Sequence, residues 1–236
     1  MTKKHLLKAK DLSKAFKQGS NSIAILDKAD FAIAENEIVA LIGPSGCGKT
    51  TFLHIIGLLD HPDHGEIIIN EENFVKASDK ARTLCRRDDL GFIYQSHNLL
   101  ADFTALENVM LPLRLHKVPA KEREARAKAL LKKLNLAERA THYPAQLSGG
   151  EQQRVAIARS LIHNPKIILA DEPTGNLDQA NAEKVLALLI SSIRGLKKSM
   201  VIVTHNPQIA KQADRVVTIK NGKLVSYAYK KQLRGA

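Results

Sequence analysis

The sequence predicts an α/β protein in which buried-type strands alternate with helices, and three observations predict it. A glycine-rich turn at residues 43–50 joins an apolar strand pattern to a helix. The segment 166–204 reads strand, helix, strand. A mainly helical stretch from about Leu106 to Leu161 separates these two parts. The strand–helix–strand order implies a parallel crossover, since antiparallel neighbours can be joined by a two-residue hairpin and parallel ones cannot.

Between residues 5 and 75, short β-rich pieces surround the glycine-rich turn: Ser22–Leu26, Glu37–Ile42 and Gly65–Asn70. The run Thr51–Ile56 is compatible with a helix directly after the turn. Lys121–Leu136, rich in Ala, Lys, Glu and Leu, and Glu151–Ile162 are the clearest helical patterns, and both are expected as helices. After Asn164-Pro165, a strand is expected over Lys166–Ala170, a helix over Asn181–Ile193 and a strand over Met200–Thr204. Two last β runs, Arg215–Lys220 and Lys223–Tyr227, flank Asn221-Gly222, the pair that tolerates positive φ at both central positions of a hairpin turn. The sequence has no internal repeats, and a mobile basic tail is expected over Lys230–Ala236.

With 236 residues, 44% of them hydrophobic and 25% charged, the composition is that of a soluble globular protein of one or two compact units. No run approaches the roughly 18–20 apolar residues a membrane helix needs, so the chain is not expected to cross a bilayer by itself. The basic start breaks into charge before any leader-type apolar stretch, and no secretion signal is expected. A net charge of +12 fits nucleic acid, an anionic membrane surface or solvated basic faces. With no Trp and 4% aromatics, base-stacking platforms are poorly supplied, and no nucleic acid partner is expected. Cys47 and Cys85 have no metal-site spacing, which suits a reducing compartment.

The turn reads Gly43, Pro44, Ser45, Gly46, Cys47, Gly48, Lys49, Thr50, with Thr51 after it. It fits G-x-x-x-x-G-K-[ST] between a strand and a helix, the context the phosphate-binding loop requires. Such glycines let successive backbone N–H groups face phosphate oxygens at a positive helix end. Lys49 then reaches the β- and γ-phosphates, and Thr50 can ligate Mg²⁺. ATP and Mg²⁺ are the cofactors this implies.

Ile167–Ala170 is a buried-type strand ending in Asp171 and Glu172. Ligand sites in open α/β sheets lie beyond such carboxyl ends. Asp171 suits a metal's water shell, and Glu172 suits polarisation of an attacking water, although solvated acids at a strand end are also ordinary. Further on, Leu147-Ser148-Gly149-Gly150-Glu151-Gln152 opens a helix with capping-box spacing. A cap does not need two glycines. Gly149 and Gly150 expose N–H groups at a positive helix end, which favours a second phosphate-binding surface.

These motifs resemble the ATP-binding-cassette superfamily over essentially the whole chain. The resemblance implies a P-loop α/β fold with an antiparallel β subdomain and a helical insertion, residues 1–93 and 164–236 forming the nucleotide-binding core and 94–163 the Q-loop and helical part. Gly43–Thr50 would be the Walker A loop, Ile167–Glu172 the Walker B strand with Glu172 catalytic, and Leu147–Gln152 the signature motif. Gln95 matches the Q-loop, a catalytic and metal-facing position, Asn176-Leu177-Asp178 the D-loop, and His205 the switch histidine. The resemblance further implies a head-to-tail homodimer in which Ser148 and Gly150 of one copy close on ATP held by Lys49 of the other. Phe16 occupies the place of an adenine-stacking aromatic, with plain core as the alternative. Asn206 departs from the aspartate frequent after the switch histidine.

Within the superfamily the chain is similar to the group of lipoprotein-releasing, macrolide-export and cell-division ATPases, which share Thr174–Asp178. Gln95–Val109, continuing to Leu113, is most similar to the lipoprotein-releasing type. That implies integral membrane permease subunits as partners, a peripheral place on the cytoplasmic face of a bacterial inner membrane, and ATP-driven lipoprotein release. A macrolide-type exporter and a nucleotide-gated division regulator are the alternatives. Leu99, Leu100, Phe103 and Leu106 lie where the family docks its membrane subunits, with internal core as the alternative.

Overall fold

The computed structural model describes residues 4–19, 21–205 and 207–227. In chain order the elements are β1 (His5–Gln18), β2 (Asn21–Ala34), β3 (Ile38–Ile42), α1 (Lys49–Ile56), β4 (His64–Ile69), β5 (Glu72–Asn73), α2 (Asp79–Asp89), β6 (Leu90–Ile93), α3 (Ala105–Leu115), α4 (Ala120–Lys133), α5 (Gly149–Leu161), β7 (Ile167–Asp171), α6 (Gln179–Gly195), β8 (Ser199–Val203), α7 (Pro207–Gln212), β9 (Arg215–Lys220) and β10 (Lys223–Ser226). The chain divides into two compact units, Met1–Arg82 with Ser199–Ala236, and Thr83–Lys198. The expected mobile tail and Asn206 lie outside the described residues.

The first unit holds an antiparallel sheet in the order β2-β1-β4-β5. Leu7, Ala9 and Leu12 of β1, Leu26, Ala29, Phe31 and Ile33 of β2, and Ile67 and Ile69 of β4 are buried, while charged residues such as Lys8 and Lys10 alternate outward. In the same unit β3 runs parallel to β8 on one side and to β9 on the other, and β9 turns back into antiparallel β10. Asn221 (φ 49°) and Gly222 (φ 72°) make that hairpin turn. Strands β3 and β8 are nearly uninterrupted Ile, Val, Ala, Leu and Met because parallel strands are covered on both faces. Phe52 of α1 meets Phe31 of β2 edge to face, with ring centroids 5.3 Å apart.

Helix α2, Asp79-Lys-Ala-Arg-Thr-Leu-Cys-Arg-Arg-Asp-Asp89, carries only three apolar residues, Ala81, Leu84 and Cys85, among charged and polar ones, so the sequence does not announce it. Tertiary bonds anchor its first turn. Arg82, 1% exposed, donates to the carbonyls of Asp60 (2.8 Å), Leu58 (2.9 Å) and Phe74 (3.3 Å).

In the second unit β6 and β7 run parallel, from Leu90↔Ile167 to Ile93↔Ala170. Helix α5 packs against α3, α4 and α6, and it is buried nearly all round, with Val155, Ile157 and Leu161 among its buried residues. Residues 94–163 lie wholly within this unit, together with β7 and α6. Among the described residues no helix is long and apolar enough to cross a membrane.

Candidate active site

The first unit supplies the phosphate loop and the residue that follows β8. Chain direction reverses after buried β3, and Gly48 caps α1 in the left-handed region at φ 99°. Only glycine suits this position: besides the positive φ, a Cβ there would stand 2.4 Å from Ile25 Cγ2 of the neighbouring hairpin. Lys49, the first residue of α1, is 5% exposed, and its Nζ donates to the carbonyls of Pro44 (2.8 Å) and Gly43 (2.9 Å). A buried ammonium held, among the described residues, by two carbonyls and no carboxylate leaves a net positive charge at a helix N-terminus. That arrangement fits a polyphosphate. Pro44, Ser45, Gly46 and Thr50 are exposed; Gly43, Cys47, Gly48 and Thr51 are half-buried.

Leu41 pairs with Val203, so His205, two residues beyond β8, leaves the sheet at the same end as the loop that begins at Gly43. His205 is exposed, while Thr204 beside it is buried. Phe16 is 46% exposed, which removes the core alternative for it. Its ring lies 5.3 Å from Lys14 Nζ, and it pairs with Ile23, two residues before the Ile25 that crowds Gly48.

The second unit gathers the remaining motifs. Because Ile93 pairs with Ala170, Gln95 and the acids Asp171 and Glu172 all leave β6 and β7 at one end. Glu172 has φ 43°, a left-handed conformation that costs a residue with a Cβ roughly 1–2 kcal/mol and is typical of functional turns. Asp171 and Glu172 are half-buried. The Gln95 side chain is tied to Asn176: Nε2 donates to Asn176 Oδ1 (3.0 Å), and Asn176 Nδ2 donates back to the Gln95 carbonyl (3.2 Å). Asp178 caps α6, accepting from the Asn181 N–H at 3.0 Å.

Ser148 caps α5 in a full capping box. Its N–H and hydroxyl donate to Glu151 Oε2 (2.8 and 2.9 Å), and its oxygen accepts from the Glu151 N–H (3.3 Å). The Arg139 guanidinium, then the Ser148 N–H, hold the Glu151 carboxyl down to about 2. Leu147 is buried, and Gln152 Nε2 donates to the carbonyls of Pro144 and Leu147, fixing the approach to the helix. A Cβ on Gly149 would lie 3.2 Å from Leu177 Cδ2, so the signature and D-loop segments touch here, while Gly150 is buried beside Asn181.

Sequence reasoning missed two residues that shape the segment after Gln95. Asn108, fully buried, accepts from the Leu100 N–H (2.9 Å) and donates to the carbonyls of Phe103 (2.9 Å), Leu100 and Thr104 (3.1 Å each). Arg159 donates to the carbonyls of Asn98 (2.6 Å) and His97 (2.9 Å), and its burial lowers its pKa. A lone Asn and a lone Arg in helical segments carry no signal of this. Leu100 is 46% exposed, and Leu99, Phe103 and Leu106 are half-buried, so none of the four is a core residue. An open groove of about 440 Å³ lies in the same unit, walled by Leu90, Phe92, Tyr94, Leu111, Pro112 and Leu115 with arginines among its lining.

Residues 26–175 match the ABC transporter family. The chain belongs to that family. The lipoprotein-releasing system ATP-binding protein LolD of Paramagnetospirillum magneticum is 49% identical over 221 residues, 94% of this chain and 98% of the relative. LolD 1 of Rhodospirillum rubrum is 48% identical over 220 residues, 93% and 97%. Among solved structures, the dimeric ATP-binding cassette MJ0796, in a post-hydrolysis state bound to ADP and Pi, is 43% identical with a TM-score of 0.84 over 92% of this chain and 96% of that one. A second dimeric MJ0796 structure, described as a bacterial ABC transporter cassette, gives 43% and 0.85 over the same shares. This ABC chain is therefore an ATP-binding, ATP-hydrolysing transporter subunit with the P-loop α/β fold, and the antiparallel sheet and helical insertion expected from the sequence are both present.

Proposed function

We propose that this chain hydrolyses Mg-ATP as the paired ATPase of a lipoprotein-releasing transporter, peripheral on the cytoplasmic face of a bacterial inner membrane. The observation that carries this reading is near-end-to-end likeness, at 48–49% identity, to relatives bearing that name. The groove and the half-exposed Leu99, Leu100, Phe103 and Leu106 support a docked permease subunit, because apolar surface of this kind on a polar, basic chain favours a partner.

In this reading residues 1–93 and 164–236 form the nucleotide core, and 94–163 the part that answers to the membrane partner. Lys49 and the backbone N–H groups of Gly43–Thr51, among which Pro44 has none, bind the phosphates, and Phe16 stacks on adenine. Thr50, Gln95 and Asp171 offer a hydroxyl, a carboxamide and a carboxylate, the hard oxygen donors that Mg²⁺ takes directly or through its waters. Bound Mg²⁺ neutralises charge that develops on the β- and γ-phosphates. Glu172 accepts the proton of the attacking water, and His205 steadies the γ-phosphate end. Two copies close head to tail, so that the α5 N-terminus with Leu147–Gln152 of one meets ATP held on the other, and Asn176–Asp178 follow at the seam. The dimeric state of the solved relatives supports this pairing.

The test is affinity purification of the Glu172→Gln protein from membranes in Mg-ATP, a change that keeps binding and slows hydrolysis. Recovery of lipoprotein-releasing permease subunits is expected. Recovery of an export permease or of division proteins would move the chain to a sibling system, and recovery of ribosomes or DNA would overturn the transporter role.

A further inference from the structure

We infer that Asn176 is a positioning residue that decides which end of the Gln95 carboxamide is presented to the nucleotide-bound cation. This rests on the proposed reading of Gln95 as a metal ligand.

The argument begins from the one group whose polarity is fixed. The backbone carbonyl of Gln95 can only accept, so the Asn176 group 3.2 Å from it is the Nδ2 amide, which donates. That choice turns Asn176 Oδ1 to the other side, where it needs a donor and stands 3.0 Å from the end of the Gln95 side chain. The Gln95 group there is therefore Nε2. The remaining end is Oε1, which carries no hydrogen bond among the described residues. The carbonyl thus orients one amide, and that amide orients the next. A hard cation binds the oxygen of a carboxamide and not its NH₂, so only this orientation makes Gln95 a ligand without a rotation first.

Gly175 supplies a second, independent constraint. A Cβ there would stand 2.8 Å from Gln95 Nε2, 3.1 Å from Cδ and 3.3 Å from Cγ, so the Gln95 side chain lies directly across the Gly175 backbone. Glycine makes room for the side chain, and the next residue clasps it. Gln95 and Asn176 are 81 residues apart, and the clasp links the loop after β6 to the loop after β7.

The experiment is binding of a non-hydrolysable ATP analogue to the full chain, titrated with Mg²⁺ and repeated without metal, for four proteins. Asn176→Leu removes both bonds and is expected to raise the Mg²⁺ concentration for half-maximal binding about tenfold, as loss of an outer-shell partner does, while metal-free binding stays unchanged. Asn176→Asp keeps an acceptor for Nε2 but loses the donor to the Gln95 carbonyl, and is expected to fall between the parent protein and Asn176→Leu. Gln95→Ala is expected to shift the Mg²⁺ requirement at least as far as Asn176→Leu. If Gln95→Ala shifts it and Asn176→Leu does not, or if the Asp and Leu variants behave alike, the positioning role is overturned and the ligand reading stands. If Gln95→Ala has no effect, the ligand reading falls and takes this inference with it. Equal weakening of metal-free binding in both Asn176 variants would mark the clasp as structural only and would also overturn the inference.

Discussion

Arg139 Nε lies 2.9 Å from Glu151 Oε1, and this pair braces the carboxylate that closes the Ser148 cap of α5. The two positions come from separate segments, the short 3₁₀ turn Ala137–Arg139 and the first turn of the helix, so the ion pair fastens the signature segment to the chain before it. The Glu151 carboxyl, held down to about 2 from an ordinary 4.5, stabilises the fold fully above pH 4.5 and loses that contribution as pH falls through 2. The gap in thermal midpoint between the parent protein and Glu151→Gln is therefore expected to be constant above pH 4.5 and to narrow as the pH approaches 2. Thermal melts followed by circular dichroism across that window check it; a gap that widens on acidification would contradict it.

Lys49→Ala removes a buried cation whose partners among the described residues are two carbonyls. ATP affinity is expected to fall roughly 100-fold, the worth of one or two hydrogen bonds to a charged group. The melting temperature of the nucleotide-free protein should not fall with it, because the variant is spared the desolvation of an ammonium that has no carboxylate partner among the described residues. Melts with and without Mg-ATP read both effects: the nucleotide-induced rise disappears and the baseline stays.

Phe16 is exposed, so Phe16→Ala is expected to change stability by less than about 0.5 kcal/mol. If the ring stacks on a base, the same change weakens ATP binding by about 1–3 kcal/mol, and Phe16→Tyr restores it. Equilibrium binding of ATP beside a tripolyphosphate control separates stacking from a phosphate effect, since only ATP affinity should respond.

Asn108→Ala leaves the Leu100 N–H and the carbonyls of Leu100, Phe103 and Thr104 without their side-chain partner, at an expected cost of about 2–4 kcal/mol. Faster amide hydrogen exchange at Leu100 is the local readout. Loss of permease co-purification with ATP binding retained is the functional one. A charge at the half-exposed Phe103, Phe103→Asp, should give the second effect without the first.

Sequence by itself determined the parts whose chemistry closes within a few residues. The Gly43–Thr50 loop, the Ser148–Glu151 capping box and the Asn221-Gly222 turn are recognisable because their bonds and backbone angles involve neighbours in the chain. The buried strands β3, β7 and β8 are legible because burial on both faces demands continuous apolar runs. Tertiary structure decided what depends on partners far along the chain. Polar α2 is anchored by Arg82 reaching the carbonyls of Leu58 and Asp60, and no periodicity encodes that reach. Whether Phe16 is core or surface depends on what covers β1, and which end of Gln95 faces outward depends on an asparagine 81 residues away. Local pattern fixes which hydrogen-bonding and apolar groups each element carries; only the folded chain fixes which groups meet.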